Sequence, residues 1–327
     1  MADTDKPVVV ITGVSGYLGS QTCLTFLKDG SFRVRGTVRS TSNESKLKPL
    51  RDGFGDLYEQ LELVEADLND EASLVAACAG ATYVVHTASP FNFAGDCTGP
   101  AVAGTNAIMK ACTQHGVKRL VITSSCVAIQ CVADADKPKQ GEMYDETYWS
   151  NPERPGGLMD YFKSKTLAER AAWDYQKSIN PSLEIATINP VFIMGPSVCS
   201  GDGTSEGWMV QVLNGSKTEI PVGGMGFVDV RDCAVAHLRA IERPEAANKR
   251  FILNFGRVMY KDIYGWVAPF NDKGAKVPTT MAAGEDPTEF DLLSNKQSRE
   301  VLGLEYTPIQ KTFVDMAESL LAAGKVK

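Results

Sequence analysis

The eight cysteines of this 327-residue chain form no Cys-x-x-Cys pair, and only three histidines are present, His86, His115 and His237, in no His-x(3–5)-His pair. A structural zinc centre is built from thiolates and imidazoles at short fixed spacings, so no metal site is expected. A chain of this length can bury a full core without staples. Cys23, Cys78, Cys97, Cys112, Cys126, Cys131, Cys199 and Cys233 are therefore expected to be reduced and mostly buried. No apolar run is long enough to span a bilayer, and the polar opening Met1-Ala2-Asp3-Thr4-Asp5-Lys6 is not a charged-then-apolar leader. A cytosolic location is the expectation. Long runs of one charge are also missing: 33 basic and 40 acidic residues give a net charge of -7. That balance excludes nucleic acid and anionic membrane from the expected partners and leaves a small molecule, handled by a monomer or homodimer.

What is present is alternation. Short β-branched runs at 8–12, 32–38, 61–64, 83–86, 120–123 and 185–188 are separated by helical apolar spacing at 20–27, 74–78, 107–115 and 166–176. Strand, helix, strand repetition predicts an α/β fold of the Rossmann type, a doubly wound parallel sheet with helices on both faces. Beyond about Pro190 the pattern loosens into glycine- and proline-punctuated segments, with helices expected near 207–213, 233–241 and 309–321. The expected division is a dinucleotide-binding domain over 1–190 with a returning segment near 228–255, and a smaller C-terminal substrate lobe over 191–227 and 256–327. Residues 133–157 form a polar, proline-rich insertion, either a solvated loop or a substrate-side lid.

The first strand runs directly into Gly13-Val14-Ser15-Gly16-Tyr17-Leu18-Gly19. Glycines there allow a tight turn and close backbone approach, and the following helix offers free N–H groups and a partial positive charge to a pyrophosphate. About 20 residues on, an NAD-preferring site would carry an acidic residue, whereas this strand ends Gly36-Thr37-Val38-Arg39. An arginine fork at that place grips a 2′-phosphate, and Lys46 can add a point charge, so NADPH is the expected cofactor. Asp67 and Leu68, after the third strand, are placed against the adenine, with an N-cap of the next helix as the competing role for Asp67. Thr87, Ala88 and Ser89 sit at the carboxyl edge of the fourth strand, where ligands of such sheets bind. His86 reads as a packed strand residue.

Ser124-Ser125 closes the fifth strand, and Tyr161 and Lys165 follow after the insertion. Four residues apart on a helix, the phenol and ammonium share a face, so the charge is expected to lower the phenol's pKa and make Tyr161 a general acid.

These motifs together resemble the extended short-chain dehydrogenase/reductases, and the finer ones are similar to the dihydroflavonol reductase and cinnamoyl-CoA reductase branch. Supporting segments are His86-Thr87-Ala88-Ser89-Pro90, Tyr144-Asp145-Glu146, Tyr161 to Lys165 with Thr166-Leu167-Ala168-Glu169, Asn189-Pro190, Gly195-Pro196 and Val228-Asp229-Val230-Arg231-Asp232. The resemblance implies a catalytic set of Ser125, Tyr161 and Lys165, with Tyr161 and Lys165 also touching the cofactor and Pro190, Ile193 and Ser205 at its nicotinamide end. It implies an NADPH-dependent reductase of an aldehyde or ketone. Phe91, Phe93, Val127, Gln130, Trp208 and Phe227 are the expected substrate lining, which favours an apolar or aromatic molecule. Three departures stand out: Leu158-Met159-Asp160 ahead of the tyrosine, Gln130 where flavonoid reductases carry asparagine, and Ala101 where many extended members carry asparagine. A dihydroflavonol or cinnamoyl-CoA reductase proper, an NAD-dependent sugar-nucleotide epimerase or hydroxysteroid dehydrogenase, and a non-catalytic NADPH sensor are the alternatives.

Overall fold

The computed structural model describes residues 5–89, 97–154, 157–199, 203–286 and 292–327. In chain order the main elements are β1 (Val8–Thr12), α1 (Tyr17–Asp29), β2 (Arg33–Val38), α2 (Glu44–Phe54), β3 (Leu61–Glu65), α3 (Glu71–Ala77), β4 (Tyr83–His86), α4 (Thr98–Gln114), β5 (Arg119–Thr123), α5 (Asp160–Ser178) and β6 (Glu184–Pro190). They are followed by β7 (Phe192–Met194), α6 (Thr204–Leu213), β8 (Gly224–Asp229), α7 (Val230–Glu242), β9 (Lys249–Leu253), β10 (Gly256–Met259), α8 (Tyr260–Val267), α9 (Lys296–Glu300) and α10 (Ile309–Ala322).

Seven strands form one sheet in the order β3-β2-β1-β4-β5-β6-β9, and every pairing in it is parallel. The order reverses at β1, between β2 and β4, which opens a crevice beyond the carboxyl ends of these strands. Central strands covered on both sides need apolar residues at every position, and in β1 Val9, Val10 and Ile11 are all fully buried. Val9 and Ile11 join the core that includes Phe26 of α1 and Ala236 of α7, whereas Val10 joins the opposite core with Ile108 of α4 and Ala172 of α5. All eight cysteines are buried thiols, none in a disulfide.

A second sheet, β10-β8-β7, carries its own core. There Phe227 and Phe313 meet edge-on at 5.1 Å, with Trp208 against both. The chain leaves the main sheet after β6, returns to it once as β9, and leaves again at β10, so this second layer lies beside the carboxyl edge. Asp229 locks the join: its fully buried carboxylate accepts from Arg231 and from the Thr312 hydroxyl of α10.

His237 pins α7 beneath β5. Its Nδ1–H donates to the Cys233 carbonyl at 2.7 Å, which leaves Nε2 to accept from the Thr123 hydroxyl, also at 2.7 Å. Burial pushes the imidazole pKa down to about 4. An unfolded imidazole titrates near 6.5, so the stability of the neutral ring is complete above that pH and is lost as the pH falls toward 4. At about 1.4 kcal/mol per pH unit the loss is about 3 kcal/mol. In chemical denaturation across this window, His237→Gln should flatten the acid limb by that amount; an unchanged slope would refute the burial argument.

Candidate active site

Five strand ends converge on the crevice, and side chains at their tips are knotted together. The Thr12 hydroxyl pairs with His86 Nδ1 at 3.0 Å and accepts from the Ala88 amide at 3.1 Å. The Thr12 carbonyl accepts from the Thr87 hydroxyl, and Gly13 N–H donates to the Thr37 hydroxyl. The ends of β1, β2 and β4 are thus fixed to each other by side chains where the ladder stops. Burial, reinforced by the Lys165 charge, lowers the His86 pKa to about 4, so this imidazole is a neutral part of the knot.

Above the knot is a cleft of about 520 Å³. It is lined by Gly13, Ser15, Gly16, Tyr17, Leu18 and Gly19 from the β1–α1 turn, by Arg39, by Asp67 and Leu68, and by Thr87, Ala88 and Ser89. Gly13 has φ of +72°, and a Cβ on Gly19 would stand 2.2 Å from the Gly13 carbonyl oxygen. The turn therefore needs glycine for its backbone sign at one position and for the helix to approach the strand at the other. Arg39 is exposed on the rim and makes no hydrogen bond or ion pair among the described residues. A glycine cradle at a helix start, with an uncommitted guanidinium one strand away, fits a dinucleotide carrying an extra phosphate. Asp67 Oδ1 accepts from the Asn69 amide, while the N-cap of α3 is Asp70, so Asp67 is not that helix's cap.

Tyr161 and Lys165 stand on the first two turns of α5. The Lys165 ammonium lies 5.9 Å from the Tyr161 ring centroid and donates to the Ser89 hydroxyl at 3.0 Å, reaching the cleft wall. Ser125 hydrogen-bonds Tyr161, and its hydroxyl also accepts from the Val127 amide at 3.3 Å. Hydroxyl, phenol and ammonium are thus gathered beside the cleft. The expected acidification of the phenol is corrected by this geometry. Burial pushes the Tyr161 pKa up to about 12, Cys126 adds to the rise, and the Ser125 hydrogen bond opposes it. Lys165 moves the other way, down to about 8, because burial penalises its charge more than Glu169 supports it.

Other expected residues lie apart. Lys46 is exposed on α2 and does not line the cleft. Pro190 is buried at the end of β6, Ile193 is half-buried on β7 and Ser205 is buried in α6; none of the three lines the cleft. Val127 is buried in the turn after Ser125, and Gln130 is half-buried just beyond it. Trp208 is half-buried, and Phe227 is fully buried in the second core, where it has no surface to offer a ligand. Phe91 and Phe93 lie outside the described residues.

Several residues of the site carried no role on sequence grounds. Asp160 accepts from Cys97 N at 2.6 Å and from the Thr98 hydroxyl at 3.1 Å, so it braces the start of α4. Glu169, fully buried, accepts from Ser124, Thr187, Asn189 and Arg250. A signal for Glu169 existed: it is a charge two turns beyond Tyr161, on the face that buries Lys165 and Ala172.

Comparison with known proteins adds four likenesses. A model described as the NAD dependent epimerase/dehydratase family matches residues 9–256. The chain is 31% identical over 326 residues to Cinnamoyl-CoA reductase 1 of Petunia hybrida, covering 99% of this chain and 95% of that protein. It is 30% identical to Tetraketide alpha-pyrone reductase 1 of Arabidopsis thaliana, covering 98% of each. Among solved structures it is similar to yeast methylglyoxal/isovaleraldehyde reductase Gre2 complexed with NADPH, with a TM-score of 0.81, 26% identity and coverage of 98% of this chain and 100% of that one.

The glycine geometry gives a direct test. Gly19→Ala forces its Cβ against the Gly13 carbonyl, so α1 must shift off β1. Overpacking of this kind costs about 1–3 kcal/mol, and dinucleotide affinity measured by fluorescence titration should fall at least about tenfold while the circular dichroism spectrum stays that of a folded α/β protein. Unchanged affinity would remove the cradle from the binding site.

Proposed function

This chain belongs to the NAD dependent epimerase/dehydratase family, as an NAD(P)-dependent reductase of the extended short-chain dehydrogenase/reductase branch that holds the cinnamoyl-CoA reductases, and we propose that it uses NADPH to reduce the carbonyl of an aldehyde or ketone, with Tyr161 as proton donor. The observation that carries this reading is the gathering of three groups beside the cleft: Ser125 hydrogen-bonds Tyr161, the Lys165 ammonium stands 5.9 Å from the Tyr161 ring centroid, and that ammonium donates to Ser89 at the cleft wall.

NADPH, when bound, supplies the hydride. The chain's own groups do the rest. Arg39 meets the 2′-phosphate, and the glycine turn receives the pyrophosphate. Tyr161 keeps its proton at neutral pH because its pKa is about 12, so it is ready to protonate the oxygen as negative charge develops there. Ser125 donates to the same oxygen, and Lys165 adds positive charge where the oxyanion forms. The apolar turn carrying Val127, with Gln130 beyond it, forms the substrate side and favours a carbonyl compound with an apolar or aromatic body. Asp160, committed to the start of α4, contributes to the position of the tyrosine and not to substrate contact.

Tyr161→Phe removes the proton and should lower kcat by roughly two to four powers of ten with NADPH affinity retained. A Phe variant as fast as the parent would refute the assignment. Reduction should also slow as the pH rises through about 8, where Lys165 loses its proton, while Tyr161 remains protonated throughout. For the cofactor, Arg39→Ser should weaken NADPH by about tenfold or more and leave NADH nearly unchanged, since only the former carries the phosphate that the fork grips. Equal losses for both would overturn the NADPH preference. NADPH oxidation followed across aromatic and aliphatic aldehydes, ketones, dihydroflavonols and a CoA thioester identifies the substrate group.

A further inference from the structure

The Glu169 side chain has no solvent exposure and sits one helical turn after Lys165, where α5 meets the carboxyl ends of β5 and β6 and the first residues of β9. Its two oxygens collect donors from all of these elements. Oε2 accepts from the Ser124 hydroxyl at the tip of β5 and from Asn189 Nδ2 at the tip of β6, the latter at 2.7 Å. Oε1 accepts from the Thr187 hydroxyl at 3.1 Å, from Trp173 of its own helix at 3.3 Å and from Arg250 Nε of β9 at 2.6 Å. Asn189 passes the constraint on, because the same amide nitrogen also donates to the Ser125 carbonyl at 3.2 Å.

Arg250 is held independently of this carboxylate. Its guanidinium lies 3.8 Å above the Trp149 ring and donates to the carbonyls of Glu146 and Tyr148 at 2.8 and 2.6 Å. The cation is thus anchored in the segment between Ser125 and Tyr161, so the pair bolts that segment to α5 as well.

We propose that Glu169 is a positioning residue for the reduction: its buried carboxylate fixes helix α5, with Tyr161 and Lys165, in register against the Ser124-Ser125 strand tip, and its charge holds the Lys165 ammonium in a site otherwise hostile to it. The inference rests on the reading of Ser125, Tyr161 and Lys165 given above. The groups facing Lys165 are His86 from β4, Cys97 at the head of α4, and Tyr161 and Glu169 on α5. Burial disfavours the ammonium, whereas Glu169 and Cys97 favour it, and His86 is uncharged at the pH where Lys165 titrates. A carboxylate one turn away is the main support against burial.

The test uses Glu169→Gln, which keeps the shape and removes the charge, and Glu169→Asp, which keeps the charge and shortens the reach. In the Gln variant without cofactor, carbon-13-labelled lysine NMR should show Lys165 losing its proton about one pH unit or more below its value in the parent. The alkaline limb of kcat should shift by the same amount, with kcat at neutral pH down by about tenfold or more and KM within about threefold. The Asp variant should keep the parental Lys165 titration even where kcat falls. Should the Gln variant not fold because Arg250 is left as an unpaired buried cation, Glu169→Gln with Arg250→Met removes both charges and decides the same question. Folded variants that keep the parental titration and kcat would overturn the proposal and leave Glu169 as packing alone. Tyr161→Phe in the same assay separates the two levels. If it is as active as the parent, the catalytic assignment fails; if it is inactive while the Glu169 variants match the parent, only the positioning role fails.

Discussion

Between Glu169 and Arg250, both buried, runs a 2.6 Å ion pair beneath the tips of β5 and β6, and the half of the molecule that holds Ser125, Tyr161 and Lys165 is assembled around it. Removing two charges from water costs several kcal/mol for each, and an apolar pair of equal volume is commonly as stable or more so. Net stability is therefore a poor account of this arrangement; direction is a better one. An apolar plug would tolerate a slide of α5 along the sheet, whereas five donors aimed at two oxygens do not. Tyr161 is two turns upstream on the same helix, about 12 Å along the axis, so a register fixed at Glu169 is transmitted to the phenol by a rigid rod.

The cofactor half solves the same problem with neutral groups. Where a parallel ladder ends, the last amides and carbonyls of each strand lose their partners, and here threonine hydroxyls replace them: Thr12, Thr37 and Thr87 tie β1, β2 and β4 at one level. Hydroxyls suit this edge because a phosphate-bearing ligand must approach the backbone closely, and a charge at the same place would compete for its own counter-ion. The two halves meet at Ser89, which lines the cleft and accepts from Lys165. The crevice at the β1 switch point is thus bordered by hydroxyls on one side and by a charged core on the other.

The parts of the fold that were legible in the sequence were those written in backbone chemistry. β1 is plain because Val8 to Ile11 is continuously apolar and Thr12 is followed by a glycine, and α1 because helical apolar spacing sets in within the glycine motif and continues beyond it. The doubly wound sheet followed from the repetition of such units. α4 was seen only from residue 107 onward: Gly99, Pro100 and Gly104 hide its first turns, although proline is tolerated near a helix start. β9 went unseen because Lys249 and Arg250 open it, and Arg250 reads as a surface charge until Glu169 and Trp149 are seen to enclose it. Phe227 belongs to a segment near the carboxyl edge and the second lobe, which points to the substrate side, but aromatic residues fill cores as readily as pockets, and its neighbours Phe192, Trp208 and Phe313 come from three separate segments.

Spacing and burial pulled in opposite directions at Tyr161, and burial won. Four residues of helix do bring the ammonium to 5.9 Å from the ring, but a charge helps a phenol ionise only to the extent that the ionised form can be solvated, and the same enclosure lowers the ammonium's own pKa to about 8. A phenol held near 12 is a weak acid toward water and an adequate one toward an alkoxide, which is far more basic still. For the proton donor proposed above the raised value is an advantage: the proton is present at any physiological pH and would leave only when charge on the substrate oxygen demands it. In the proposed reduction the lysine would serve the developing oxyanion more than the resting phenol, and its protonation, sustained by Glu169, would couple the charged core behind the strands to the chemistry in front of them.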